Sequence, residues 1–227
     1  MDGIFFTIFT LYFCAYQTLL CSLPDNVPRR HEKVSRAISA FHALLLGWTS
    51  FSATRMFALD TVHELIYNPC SECAILISAM NAYLTYDTLI NMWARARGDP
   101  VSPTVWVHHV LVASVLFAAN HWVIGQRLIV LLLVLELSTP FFHLHWALTH
   151  AGWPRSARVA GLVFFVLFFL LRLVFFPAVY LEVLNSLPGS LRPGDEPLAA
   201  FAVVMGGLLL GLNAFWGVQI VQKLIGK

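Results

Sequence analysis

The chain has 227 residues, of which 59% are hydrophobic and only 11% are charged, and its formal net charge is +2. A soluble domain of this length needs far more charged residues to cover its surface. The small net charge also argues against nucleic acid as a partner. The apolar residues are grouped in blocks of about 20, the length of a helix that crosses a bilayer. The sequence therefore predicts an all-α, multi-pass membrane protein.

Seven apolar blocks follow one another, separated by short linkers that contain proline. They run over residues 3–23, 35–54, 72–92, 104–121, 127–149, 158–184 and 198–222. Each block is predicted to form one transmembrane helix, and no linker is long enough to hold a soluble domain. We interpret the first block as a retained helix rather than a signal peptide, because no basic segment precedes it. No internal repeat is visible, which argues against a transporter built from inverted repeats.

Lysine and arginine are distributed unequally between the two sets of linkers. Ten of the 14 lie in the linkers after the first, third and fifth blocks or at the C-terminus. The alternate linkers contain three, and Arg172 lies within the sixth block. Because cytosolic loops are enriched in positive residues, we predict a lumenal or external N-terminus and a cytosolic C-terminus. The expected membrane is the endoplasmic reticulum, with the plasma membrane as the alternative.

Several ionisable residues lie inside the apolar blocks, where their cost in hydrocarbon makes a functional site the first hypothesis. At about 1.5 Å of rise per residue, Asp87, His108 and His143 lie roughly 7–10 Å below the cytosolic surface. Glu136 and Arg172 lie about 20 Å from that surface. The short linker between the fourth and fifth blocks makes their helices neighbours, which brings His108 within reach of His143. We therefore predict two layers of polar residues. Asp87, His108, His109 and His143 form a layer near the cytosolic surface, and Glu136 and Arg172 form a deeper one.

The chemistry of these residues suits acyl transfer. A neutral imidazole in a partly dry cavity can act as a general base or nucleophile, and a carboxylate can fix its tautomer. We therefore predict His108 and His109 as catalytic residues oriented by Asp87, with Glu136 as the alternative carboxylate. Arg172 would hold a carboxylate, a phosphate or a developing oxyanion. The structural alternatives are an Asp87–His109 pair and a Glu136–Arg172 ion pair that only hold helices together.

Cys70 and Cys73 form a single CxxC motif between the second and third blocks. Three interpretations stay open: a loop disulfide, a redox pair or half of a metal site. The absence of a second CxxC argues against zinc. The spacing of His143, His145 and His150 also differs from the histidine boxes of membrane iron enzymes. We therefore predict no metal site and no bound cofactor.

Four stretches of the chain resemble the TLC-domain family, which includes the ceramide synthases. They are NAYLTYDTLIN, VHHVLVAS, LELSTPFFHLHWAL and FFLLRLVFFPAVY, in the third to sixth blocks. The resemblance implies a first transmembrane helix with a basic cytosolic linker, 1–33, followed by a TLC domain, 34–227. In that domain blocks two to seven would form a barrel around a lipid-accessible cavity, with the first helix packed outside.

Ceramide synthases contain a histidine pair and an HDxSD-type motif, and transfer an acyl group from acyl-CoA to a sphingoid base. The adjacent histidines match the pair, and Glu136 and Ser138 match the first acid and the serine. Leu135 and Thr139 stand in place of the motif's histidine and second aspartate. The ELSTPF form is more similar to the smaller TLC-domain proteins, which are associated with membrane phospholipid composition.

The resemblance and the residues together predict a protein that handles acyl lipids and influences phospholipid composition. Its partners would be membrane lipids, with acyl-CoA as co-substrate if it is an enzyme. Substrate-binding roles fall on Glu136, Ser138, His143 and Arg172. The alternatives are a ceramide synthase-like N-acyltransferase and a non-catalytic lipid sensor, carrier or cargo receptor.

Overall fold

The computed structural model describes residues 2–57, 59–98 and 101–225, and every regular element in these ranges is a helix. The first five are α1 (Asp2–Ser22), α2 (Arg30–Phe57), α3 (Val62–Tyr67), α4 (Ser71–Ala96) and α5 (Pro103–Trp122). A continuous helix then comprises α6 (Gln126–Leu132), a 3₁₀ segment (Leu133–Ser138) and α7 (Thr139–His150). A second comprises α8 (Pro154–Phe168), a π-helical segment (Phe169–Phe175) and α9 (Phe176–Ser190), and α10 (Glu196–Ile225) follows.

Six of these helices are long and apolar enough to cross a membrane. They are α1, α4, α5, the 126–150 helix, the 154–190 helix and α10. The predicted all-α chain is thus confirmed for the described residues, and its helices fit a multi-pass membrane protein. The predicted block 35–54 is also helical, as α2, but it falls short in hydropathy. Arg30, Glu32, Lys33, Arg36 and Arg55 lie within this helix, which extends beyond the predicted block at both ends.

The short helix α3 was missed in the sequence. Its N-cap is Thr61, whose hydroxyl accepts a hydrogen bond from the backbone N–H of Glu64, while the Glu64 carboxylate accepts from the backbone N–H of Thr61 at 2.7 Å. These hydrogen bonds lower the pKa of the Glu64 carboxyl. The T-x-x-E pattern of such a capping box was visible in the linker.

Helix α1 lies over the seam between α2 and α4. The Tyr16 hydroxyl and His31 Nδ1 are 2.9 Å apart, and the Tyr16 ring packs against Tyr86 of α4. One turn earlier in α1, the Tyr12 hydroxyl forms a short hydrogen bond with Nδ1 of His42 in α2. Tyrosines of α1 therefore hold α2 and α4 together.

The two departures from α-helical geometry each end just before a proline. A proline within a helix lacks the N–H that would bond the carbonyl four residues earlier, and its ring clashes with that carbonyl. Pro140 follows the 3₁₀ segment, where the Thr139 N–H bonds the Glu136 carbonyl instead. Pro177 follows the π-helical segment. The prolines therefore account for both irregular segments, which contact each other inside the protein.

Candidate functional site

Arg172 stands at the centre of a polar network between the two irregular segments. Its Nη2 donates to Oε1 of Glu136 at 3.1 Å, and the two side chains are only 7% and 15% exposed. Its Nε donates to Ser138 Oγ at 3.3 Å, and its Nη1 donates to Asn213 Oδ1 of α10 at 3.4 Å. Thr139 completes the network: its hydroxyl lies 3.5 Å from Nη2 and donates to Glu136 Oε2 at 2.9 Å.

The Arg172 network leaves one donor unused. A guanidinium group has five N–H donors, and four contacts engage it among the described residues. One N–H on Nη1 therefore remains for an additional acceptor. A carbonyl, carboxylate or phosphate oxygen suits a guanidinium donor.

His109 is held at both ring nitrogens. Nδ1 lies 2.8 Å from the Thr88 hydroxyl, and Nε2 lies 3.5 Å from Oδ2 of Asp87. Asn91 donates to the same carboxylate oxygen at 2.8 Å. These contacts fit a neutral ring that accepts from Thr88 and donates weakly to Asp87, with the tautomer assigned from its partners. The predicted pairing of Asp87 with His109 is present, and it leaves His109 little freedom to react.

His108 is the member of the pair without a hydrogen bond in the described parts of the chain. It is half-buried, and its ring lies 5.4 Å from the Trp216 ring of α10. Trp216 is itself fixed, because its indole N–H donates to the Thr104 hydroxyl at 3.1 Å. The charge of Arg172 acts on His108 electrostatically. Trp216 and the Asn213 that binds Arg172 lie one turn apart on α10, so His108 and the Arg172 network meet the same side of that helix.

His143 does not contact the histidine pair in the described structure, contrary to the reach we expected. Arg36 of α2 donates to its Nδ1 at 3.5 Å. Arg36 is fixed by Glu32, 2.9 Å away, and by the Trp146 ring beneath its guanidinium. The sequence prediction failed here because it placed α5, rather than α2, beside this face of α7.

His42 of α2 was not among the site residues predicted from the sequence. His42 is 2% exposed, and its Nε2 lies 3.3 Å from the sulfur of Met80. The Glu136 carboxylate acts electrostatically on His42, His109 and His143. These three histidines lie on three different helices, α2, α5 and α7.

An apolar cavity of about 170 Å³ lies between α5, α6, α9 and α10. Leu132 and Phe176, which adjoin the two irregular segments, line it at one end. Tyr67 and Asp195 line the other end, where their side chains are joined by a 2.8 Å hydrogen bond. The volume is similar to that of engineered apolar cavities of about 150 Å³, which stay dry and bind benzene. A short segment of hydrocarbon chain fits this space.

Cys70 and Cys73 form a disulfide in the structure, as both the loop-disulfide and the redox-pair interpretations of the motif require. Their sulfurs lie at the beginning of α4, near the same end of the molecule as α3. They do not contribute to the Arg172 network.

Fold and site together define a helical membrane protein with a buried polar network beside an apolar cavity. The TLC domain family model matches residues 29–222, so the chain belongs to the TLC-domain family, as its motifs predicted. It is 26% identical to TLC domain-containing protein 4 of Xenopus tropicalis, covering 94% of this chain and 81% of that protein. TLC domain-containing protein 4-A of Xenopus laevis is also 26% identical, covering 95% and 81%. No solved structure matches.

Proposed function

We propose that this protein binds an acyl lipid in its interior and influences membrane phospholipid composition by acyl transfer from acyl-CoA. Its polar site would hold the head of the substrate, and the apolar cavity would hold part of a hydrocarbon chain. The protein would reside in the endoplasmic reticulum, with its N-terminus in the lumen and its C-terminus in the cytosol.

The proposal includes seven spanning helices, of which α2 would be the seventh. With 28 residues, α2 is about 42 Å long at the usual rise, more than a bilayer core requires. One side of it exposes Phe41, Trp48 and Met56, which are 66%, 61% and 77% accessible. In a membrane, such a face would contact lipid rather than water.

Contacts between helices support a barrel. Helix α2 contacts α4, α4 contacts α5, and α5 contacts α10. The ring continues from α10 to the 154–190 helix, then to the 126–150 helix, and closes on α2. Helix α1 packs outside it against α2 and α4. This order agrees with the barrel that the family resemblance implies for the second to seventh blocks.

One observation carries the proposed chemistry: among the described residues His108 has no hydrogen-bond partner, and its ring contacts Trp216, one turn along α10 from the Asn213 that binds Arg172. As a base, His108 would take a proton from the acceptor hydroxyl or amine. The acceptor oxygen or nitrogen would bond to the thioester carbon, and the carbon–sulfur bond would break to release the thiolate of CoA. Arg172 would donate to the oxyanion formed at that carbon. His109, held by Asp87 and Thr88, would be a positioning residue.

The test is His108→Ala in protein reconstituted into liposomes that contain lysophospholipid and a sphingoid base. His121→Ala is the matched control, because His121 is an exposed histidine near the other end of the same helix. With labelled acyl-CoA, we expect the wild type and the control to form acylated lipid and His108→Ala to lose at least 100-fold in rate. Absence of transfer by the wild type to either acceptor rejects the catalytic proposal.

A second candidate function is non-catalytic lipid binding, as in a sensor or carrier. It is favoured by the engagement of Arg172, four of whose five N–H donors already bind groups of the same chain. A photoactivatable acyl lipid distinguishes the candidates. Crosslinking to lining residues such as Phe176, together with no acyl transfer, supports the binder. By contrast, ceramide synthesis is less supported, because Thr139 at the motif's second acidic position bonds Glu136 and is not an acid.

A further inference from the structure

The Cys70–Cys73 disulfide joins two sulfurs in different environments at the beginning of α4. Cys70 is the N-cap residue and is half-buried, whereas Cys73 is only 2% exposed. The backbone N–H of Cys73 donates to Cys70 Sγ at 3.1 Å. An incoming sulfur can therefore reach Cys70 far more easily than Cys73.

Stabilisation of the fold is a poor explanation for this disulfide. A disulfide stabilises a fold mainly by closing a loop in the unfolded chain, and the effect grows with loop length. Here only three positions separate the cysteines, and both lie in the first turn of one helix. The disulfide joins no second element. The Cys70 backbone N–H already connects α4 to α6 through Oε1 of Gln126, at 3.4 Å.

We propose that Cys70 and Cys73 form a thiol–disulfide exchange site for low-molecular-weight thiols, separate from the lipid site. Cys70 is the reactive sulfur, and Cys73 is the resolving one. The partial positive charge at the N-terminus of the 26-residue α4 favours a thiolate at Cys70. The Glu72 carboxylate, 4.0 Å from Cys70 Sγ, opposes that thiolate and so moderates the reactivity.

The reaction balances as a two-step exchange. A thiolate bonds to Cys70 Sγ, the Cys70–Cys73 bond breaks, and Cys73 leaves as a thiolate that takes a proton from water. A second thiolate then bonds to the sulfur of the first thiol in the mixed disulfide and releases Cys70. The pair is reduced to two thiols, and two molecules of the small thiol are oxidised to their disulfide. The reverse reaction regenerates the pair from a small disulfide.

The test uses the full chain with Cys14→Ala and Cys21→Ala, so that only the pair remains. In this background, Cys73→Ser leaves Cys70 alone and Cys70→Ser leaves Cys73 alone. After reduction, each variant is mixed with glutathione disulfide, and the mixed disulfide is followed by mass spectrometry. We expect Cys70 to react at least tenfold faster than Cys73, and Glu72→Gln to accelerate Cys70 alone. The protein with both cysteines should return to its internal disulfide without accumulating the adduct.

Equal rates at the two positions, or a rate at Cys70 no faster than at Cys14 in unaltered protein, overturn the proposal and leave a structural disulfide. If loss of Cys70 prevents folding, competitive alkylation of the reduced protein with both cysteines gives the same comparison. Preferential modification of Cys70 then supports exchange, and equal modification rejects it. None of these readouts depends on acyl transfer.

Discussion

At the scale of single residues, the Arg172–Glu136 pair buries two charged groups, which are only 7% and 15% exposed. A charged side chain near the centre of a helix that spans a bilayer costs about 2.5–3.5 kcal/mol on insertion. The attraction between the two charges offsets part of that cost, and it does so only while both charges are present in this poorly solvated site. Ser138, Thr139 and Asn213 add hydrogen bonds that fix its geometry.

We predict that Glu136→Leu destabilises the protein by about 3–5 kcal/mol, because it leaves Arg172 without its counter-charge. Arg172→Met added to Glu136→Leu should recover most of that loss. The measurement is the free energy of unfolding, from denaturant titration in one detergent. Glu182→Gln, a change at an exposed acid of α9, is the control and should be near neutral. A double variant no more stable than Glu136→Leu would show that the pair is not the source of the cost.

The residue-scale predictions succeeded for pairs of residues that were predicted to lie at the same depth in the membrane. Asp87 and His109 were placed at one level, and they are paired at 3.5 Å. Glu136 and Arg172 were placed at another, and they form an ion pair. Depth does not say which helices are neighbours around the barrel, so the partner of His143 was not predictable. Whether any of these residues acts on a substrate stays a prediction.

At the scale of elements, the sequence located the helices but not their irregularities. The apolar blocks indicated where helices lie, because apolar length is visible in the chain. The 3₁₀ and π-helical segments were not predicted, although Pro140 and Pro177 were visible, because a proline shows that the α-helical ladder is interrupted but not how it adapts. Glu136 lies in the 3₁₀ segment and Arg172 in the π-helical segment, so the geometry of the site depends on irregular helix turns that the apolar pattern of the sequence does not reveal.

Close approach of α2 to the 3₁₀ segment depends on Gly47. A Cβ atom there would lie 2.9 Å from the backbone nitrogen of Leu137, so Gly47→Ala must separate the two helices. Gly211→Ala in α10 is the matched control, because nothing lies within 4 Å of a Cβ at that position. Both changes gain helix propensity, by about 1 kcal/mol. We predict a lower thermal midpoint for Gly47→Ala and an unchanged or higher one for Gly211→Ala; equal midpoints would contradict the close packing.

Tyr67 of α3 connects to the loop between α9 and α10 and closes one end of the apolar cavity. Its hydroxyl donates to Asp195 and accepts from the backbone N–H of Arg192 at 3.0 Å. We predict that Tyr67→Phe speeds amide exchange in residues 191–196 and costs about 1.5–3 kcal/mol, since the acceptor is charged. Tyr180→Phe, which loses one neutral bond to the Val203 carbonyl, should cost less. Exchange unchanged from wild type would exclude this role.

The Tyr67 contact also has a predicted pH dependence. Burial raises the pKa of the Tyr67 hydroxyl. The folded protein therefore holds the proton more tightly than the unfolded chain, whose tyrosines titrate near pH 10. The contribution is fully present below about pH 10 and is lost as the pH rises through the raised pKa. Amide exchange in the 191–196 loop should thus be constant from pH 6 to 9, after correction for intrinsic rates. If the corrected exchange rate changes between pH 6 and 9, a group other than the Tyr67 hydroxyl controls the stability of this loop.

At the scale of the whole molecule, the number of spanning helices depends on α2. Its charges are concentrated at the two ends, with Arg30, Lys33 and Arg36 in the first two turns and Arg55 in the last. Long basic side chains at helix ends can extend to the membrane surface, so these charges are compatible with a spanning helix. The stretch between these charges, 37–54, has no charged residue, and its mean hydropathy is lowered by His42 and by several serines and threonines.

We predict that residues 33 and 59 lie on opposite sides of the membrane. Lys33→Cys and Leu59→Cys are each made in a background of Cys14→Ala and Cys21→Ala, and sealed microsomes are treated with a membrane-impermeant maleimide. Lys33→Cys should be labelled directly, and Leu59→Cys only after permeabilisation, because the excess of basic residues predicts a cytosolic α1–α2 linker. Arg155→Cys, in the loop before α8, is the control and should behave like Lys33→Cys.

The possible labelling patterns separate the count of spanning helices from their orientation. Direct labelling of both Lys33→Cys and Leu59→Cys would mean that α2 lies on one side, and six spans would remain. Protection of Lys33→Cys with direct labelling of Leu59→Cys would keep seven spans and reverse the orientation. In that case, Cys70 and Cys73 would face the cytosol, where reducing conditions disfavour a structural disulfide and a standing disulfide is usually catalytic or redox-sensing. The side on which α2 ends therefore also determines the thiol pool available to the exchange site.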